Sequence, residues 1–99
     1  MARSLNNPGA SVGPKVLSLS ELGALVRNRR LELRLRIDDA AHACGVAPNV
    51  FSRLENGSPI GADRLLLVLA GLGLTLLVTT KERAHSIVSA IDDYSGVST

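Results

Sequence analysis

Cysteine occurs once in these 99 residues, tryptophan not at all, and phenylalanine and tyrosine once each. A lone Cys44 builds no disulfide framework, and no basic and apolar leader opens the chain, so a reducing compartment and a cytoplasmic location are expected. Two aromatic residues give no platform for stacking single-stranded bases. The soft metal ligands are His42, Cys44 and His85, and residues two apart on a helix do not face each other, so neither a metal site nor a cofactor is expected. Ser/His/Asp order, paired carboxylates and a glycine-rich phosphate loop are all missing: Gly71-Leu72-Gly73 lacks the third glycine and the preceding strand, and an enzyme is not expected. A membrane-spanning run is missing too. Leu65 to Val78 carries no charge, but it is short of the roughly 20 residues a spanning helix needs and is divided by Gly71 and Gly73.

What is present is a succession of helix signals. Residues 1–16, with Asn6, Asn7, Pro8, Gly9, Gly13 and Pro14 and no apolar period, read as a flexible arm. Ser18 and Glu21 have capping-box spacing, and Leu19, Leu22, Val26 and Leu33 then share one helical face to about residue 33. Ile37 to Cys44 reads as a short helix with Asp38 and Asp39 in its first turn and Gly45 at its end. Pro48 suits the first position of the next helix, which turns Phe51, Leu54 and Glu55 inward and stops at Asn56-Gly57-Ser58-Pro59. A fourth helix, from about Ala62 to Ala70, is apolar all round at Leu65 to Leu69 and is expected to be buried on more than one side.

Beyond the glycines, Leu74, Leu76 and Val78 alternate with Thr75 and Thr79 at the two-residue period of a strand. A single strand cannot satisfy its own backbone groups, so its mate is expected on another chain. That predicts a homodimer through Leu66, Leu69, Leu74, Leu76, Leu77 and Val78. Ala84, Ile87, Val88 and Ile91 recur at helical spacing in the tail, residues 81–99. The expected architecture is mainly α: an arm over 1–16, four to five helices with one short C-terminal β-strand in a domain over 17–80, and a tail that can be helical.

The net charge of +2 averages two unlike parts, since residues 1–64 hold nine basic and six acidic groups and residues 65–99 hold two and three. Arg27, Arg29, Arg30, Arg34 and Arg36 stand within ten residues that contain only Glu32 in opposition. This is the footprint expected of a phosphate-binding surface. Arg30 and Glu55 are different. Each falls on the apolar stripe of its own helix, and a buried charge persists only when paired, so the two are expected to bond one another.

Arg27 and Arg30, the two short helices joined by Ala43-Cys44-Gly45-Val46-Ala47, and Leu54-Glu55-Asn56-Gly57 follow in fixed order. Over about residues 19 to 74 the chain resembles the phage-repressor-like, or XRE, helix-turn-helix family. The resemblance implies a helix-turn-helix domain whose second motif helix, Pro48 to Glu55, enters the major groove of double-stranded DNA while the first crosses the backbone. Pro48, Asn49, Ser52 and Arg53 would then face base edges, Asn toward adenine and Arg toward guanine. Arg27, Arg34, Arg36, Ala47, Asn56, Gly57 and Ser58 form the expected phosphate-contacting set, and the resemblance also implies the Arg30–Glu55 pair. Two positions depart from the pattern: apolar Pro48 replaces a polar residue, and Arg36-Ile37 stands where the family has Ser or Thr followed by Gln. Arg36 can supply a charge there, whereas Ile37 cannot hydrogen-bond. Leu72-Gly73-Leu74-Thr75-Leu76-Leu77-Val78 is similar to the strand of HipB-like antitoxins, which pairs with its twofold mate. That implies an antitoxin dimer repressing its own operon at a palindromic operator and neutralising a HipA-like kinase toxin, to which the arm or the tail would bind. The alternatives are a solitary XRE-type regulator, or a protein-interaction module that has lost DNA binding.

Overall fold

The computed structural model describes residues 14–98, with side chains through residue 91. Among them five helices follow one another: α1 Leu19–Glu32, α2 Ile37–Cys44, α3 Pro48–Glu55, α4 Ala62–Gly71 and α5 Lys81–Ser98. Most of the expected arm lies outside the described residues, and residues 15–17 carry no regular structure.

α1 starts where its cap chemistry dictates. Ser18 Oγ accepts the Glu21 N–H at 3.1 Å, and Glu21 Oε1 in turn accepts the Leu17 N–H at 2.6 Å, one residue earlier than a standard capping box. The inward face of α1 is Leu22, Gly23, Val26 and Arg30, whereas Leu19 and Leu33 are exposed because they stand at the first and last turns, past the edge of the core. α1 lies across α3, and α2 packs on both α3 and α4. Val26, Ala40, Ala41, Cys44, Phe51, Leu54, Val68, Leu69 and Leu72 form one buried cluster, with Phe51 wholly inside. Leu35, Ile37, Val46, Ile60, Leu65 and Leu74 cover its edges.

Two glycines permit this packing. A methyl group at Gly23 would overlap the carbonyl oxygens of Leu54 and Glu55, so the backbones of α1 and α3 approach closely there. A methyl group at Gly71 would overlap the Cys44 sulfur and Cα, which makes Gly71 the place where α4 meets α2 as well as the last residue of its helix. Buried beneath it, Cys44 donates to the Val68 carbonyl at 3.5 Å, and burial pushes its thiol pKa up.

α1 to α4 all close with paired backbone bonds of the Schellman type: Arg34 to Leu31 and Leu35 to Arg30, Gly45 to His42 and Val46 to Ala41, Gly57 to Leu54 and Ser58 to Arg53, Gly73 to Ala70 and Leu74 to Leu69. The residue at the left-handed position is glycine in three of them. In the first it is Arg34, at φ 58°, the one non-glycine residue with positive φ among those described.

Three expectations change. Leu69 lies 5% exposed in the core and Leu74 is half-buried against it, so Leu69 packs within its own chain and Leu74 keeps only part of its surface for a partner. α4 is not buried on several sides: Leu66 and Leu67 are 52% and 48% exposed, because only one face of the helix rests on α2 and the core. Among the described residues no strand forms, and 74–80 runs without regular structure. A ladder needs a second strand, which one chain does not supply. α5 has no packing on the four preceding helices comparable to theirs on each other. No described helix is long and apolar enough to cross a membrane.

The close approach at Gly23 predicts that Gly23→Ala destabilises by about 3 kcal/mol, since two helices must separate to admit the methyl group. Arg34→Gly is expected to stabilise by about 0.5–1 kcal/mol by relieving the left-handed arginine, and thermal unfolding measures both.

Candidate nucleic-acid interface

The turn between α2 and α3 is Gly45-Val46-Ala47. Gly45 takes the left-handed conformation that reverses the chain, Val46 plugs the core edge, and Ala47 leads into Pro48 at the first position of α3. With Phe51 and Leu54 turned inward, α3 presents Pro48, Asn49 and Arg53 to solvent and leaves Ser52 half-buried. Ala47 offers no side-chain cap, but Pro48 has no N–H and the Val50 and Phe51 N–H groups donate to the Ala47 carbonyl at 3.0 and 3.2 Å, so the N–H of Asn49 is the first-turn donor left without a backbone partner among the described residues.

A bidentate ion pair holds α3 at this angle. Arg30 Nε donates to Glu55 Oε2 at 2.5 Å and Nη2 to Oε1 at 3.0 Å, while Nη1 donates to the Leu35 carbonyl at 3.0 Å. The two side chains are 11% and 6% exposed. The bond to Glu55 raises the Arg30 pKa against the opposing effect of burial. α1, the α1–α2 corner and the end of α3 therefore meet on one guanidinium.

The remaining arginines divide. Arg29 is occupied: its Nε donates to the Leu72 carbonyl at 2.8 Å and its Nη1 pairs with Glu32 at 3.2 Å, tying α1 to the last turn of α4. Arg27, Arg34 and Arg36 are exposed and have no ion-pair partner among the described residues. Arg36 caps α2 through its backbone only, and exposed Asp38 and Asp39 follow in the first turn.

No protein-family model matches the chain, and no curated protein does. Among solved structures, the crystal structure of the clp gene regulator ClgR from C. glutamicum is similar over 62% of this chain and 80% of that one, with 29% identity and a TM-score of 0.53. This chain has a helix-turn-helix regulator fold.

Within that fold several expected site residues change their part. Arg53 Nη2 donates to the Pro59 carbonyl at 2.8 Å, which draws the guanidinium toward the loop after α3 and away from the helix tip. The N–H groups of Asn56, Gly57 and Ser58 are spent on Ser52, Leu54 and Arg53 in closing α3, so they are not open phosphate donors. Ile37 packs against the core edge. Sequence reasoning missed the Arg29 bond to Leu72, for which no local signal exists, and undercounted Asp38 and Asp39, which stand beside the arginines in plain sight.

Removing one member of the ion pair strands the other charge in the core. Arg30→Met and Glu55→Leu are each expected to cost about 3–5 kcal/mol, with the double variant recovering much of the loss. Chemical denaturation of the four proteins reads this coupling directly, and single variants as stable as the parent would refute it.

Proposed function

We propose that this chain is a cytoplasmic transcriptional regulator that binds double-stranded DNA in a sequence-specific way, as a homodimer on a palindromic operator. One observation carries the proposal: α3, seated by the Gly45 turn and the Arg30–Glu55 pair, exposes Pro48 and Asn49 at an uncapped N-terminus in a fold shared with a gene regulator. Asn49 is the base reader, suited to bonding an adenine edge, and Pro48 with Ala47 offers apolar surface to a thymine methyl group. Arg27, Arg34 and Arg36 are the phosphate contacts. Support for the dimer comes from Leu66, Leu76, Leu77 and Val78, all more than half exposed, and from the N–H groups of residues 75–79, which find no backbone partner among the described residues.

In its finer form, the proposal makes the chain an antitoxin that represses its own operon and neutralises a HipA-like kinase toxin. This rests on the similarity of Leu72 to Val78 to HipB-like antitoxins. Co-expression tests it: the chain should co-purify with a kinase encoded beside it and relieve that kinase's toxicity. A chain that binds its operator with no such neighbour is a solitary XRE-type regulator. One that binds no DNA even at low salt is an interaction module.

Three arginines per protomer make six phosphate contacts per dimer, so log affinity should fall with log salt at a slope of about −5. Arg34→Ala should lessen that slope by about 2, whereas Asn49→Ala should leave it unchanged and erase about 1–3 kcal/mol of discrimination at one base pair. Gel shifts over a salt series, with operator and scrambled duplexes, measure both.

A further inference from the structure

α5 is an 18-residue helix, begun by Thr80, whose Oγ1 accepts the Arg83 N–H at 3.2 Å. Such a helix takes its stability in water from packing one face, and within its own chain α5 finds little to pack on. Its Ala84, Ile87, Val88 and Ile91 form one wall of an open groove of about 350 Å³, with residues 14–17 and 77–79 as the other walls. That volume lies within the range of about 300–1,000 Å³ common to sites for small organic molecules. The lining is apolar except for Lys15, Thr79 and Lys81. Both lysines are exposed, and neither has an ion-pair partner among the described residues. Glu82, although next to Lys81 in the chain, is not part of the wall, and no acidic side chain lines the groove among the described residues.

Shape and charge together select the occupant. Lys81 stands one turn before Ala84, and about 15 Å of helix separates it from Ile91. A molecule with an anionic head and an unbranched apolar tail matches both ends: the head lies against ammonium groups, and the tail removes the apolar walls from water. A cationic head would be repelled, a neutral one would leave the lysines without a counter-charge, and a bare phosphate would leave the walls wet. We infer that the groove binds a free carboxylate with a medium-length acyl chain, its head beside Lys81 and Lys15 and its tail along Ile87, Val88 and Ile91. No residue of α3 lines this groove, so the site is separate from the proposed base-reading face. The lysines and the α5 wall also lie outside the residues offered above as a dimer surface, with only Leu77 and Val78 shared.

The inference stands independently of DNA binding. Calorimetry on the full chain tests it, with decanoate below its micellar concentration as the probe. Saturable binding of one decanoate per chain is expected, with decanol about tenfold weaker and decyltrimethylammonium showing no saturable binding. Lys15→Gln combined with Lys81→Gln should bring decanoate down to the affinity of decanol. Ala84→Leu, at a half-buried position of the groove wall, fills the groove with a good helix former. It should weaken decanoate at least about tenfold while leaving helix content and the unfolding of the four-helix body unchanged. A chain that does not bind decanoate overturns the inference, as do decanol binding as tightly as decanoate and an Ala84→Leu protein that binds like the parent. Binding that is lost as the protein self-associates gives the groove to a second copy, and binding to phosphatidylglycerol vesicles without binding of free decanoate gives it to a lipid surface; either result overturns the inference. A chain that binds decanoate and no duplex DNA leaves it standing and removes the regulator proposal instead.

Discussion

The buried guanidinium of Arg30 is the constraint on which the helical arrangement depends. Three of its nitrogen atoms are committed at once, two to the Glu55 carboxylate and one to the Leu35 carbonyl, so one side chain joins α1, the α1–α2 corner and α3. An apolar residue could fill the same volume without fixing any of these relations. Buried ion pairs add little net stability, because desolvation offsets the attraction. What this one supplies is geometry: a roll of α3 that misaligned the two carboxylate oxygens would leave charges unpaired in the core. The neighbouring features follow from it. Gly23 lets α1 come down onto the Leu54 and Glu55 carbonyls, and Arg34 accepts a left-handed backbone so that Leu35 can present its carbonyl to the guanidinium. The exposed face of α3 is thereby set in one orientation.

Electrostatics and assembly are linked by the same economy of charge. Of the five arginines between residues 27 and 36, two hold helices together and three face solvent, with Asp38 and Asp39 standing beside them. A protomer with so few free cations has a weak electrostatic grip on a polyanion, since that grip scales with the phosphates neutralised. The proposed association would double the set. The exposed leucines of α4 and the segment 75–79, whose N–H groups find no backbone partner among the described residues, are the surfaces that the proposed association would cover.

Much of this was legible in the residues themselves. Helix starts and stops were local: Ser18 with Glu21, Pro48, Gly45 and Gly57 act through bonds a few residues long. The inward face of α3 followed from spacing, and the ion pair could be anticipated because each charge interrupted an apolar stripe. The exposed apolar surface was less legible. In an unbroken run such as Leu65 to Leu69, hydrophobicity cannot say which leucines face in. Leu69 went to the core and Leu66 to solvent because α2 covers one side of α4 only. The alternation at 74–79 marks a segment able to pair without supplying the strand it would pair with.

The sequence by itself determined where helices form and which faces of the short ones are apolar, because hydrogen-bond capping and the 3.6-residue period act within a few residues of chain. Only the tertiary structure decided which polar groups are spoken for. Arg29 ends on a carbonyl at Leu72, Arg53 on one at Pro59, and the glycine turn after α3 uses its own donors. A hydrogen bond is satisfied by whatever group lies within about 3 Å, and for Arg29 and Leu72 the packed fold alone brings that group near.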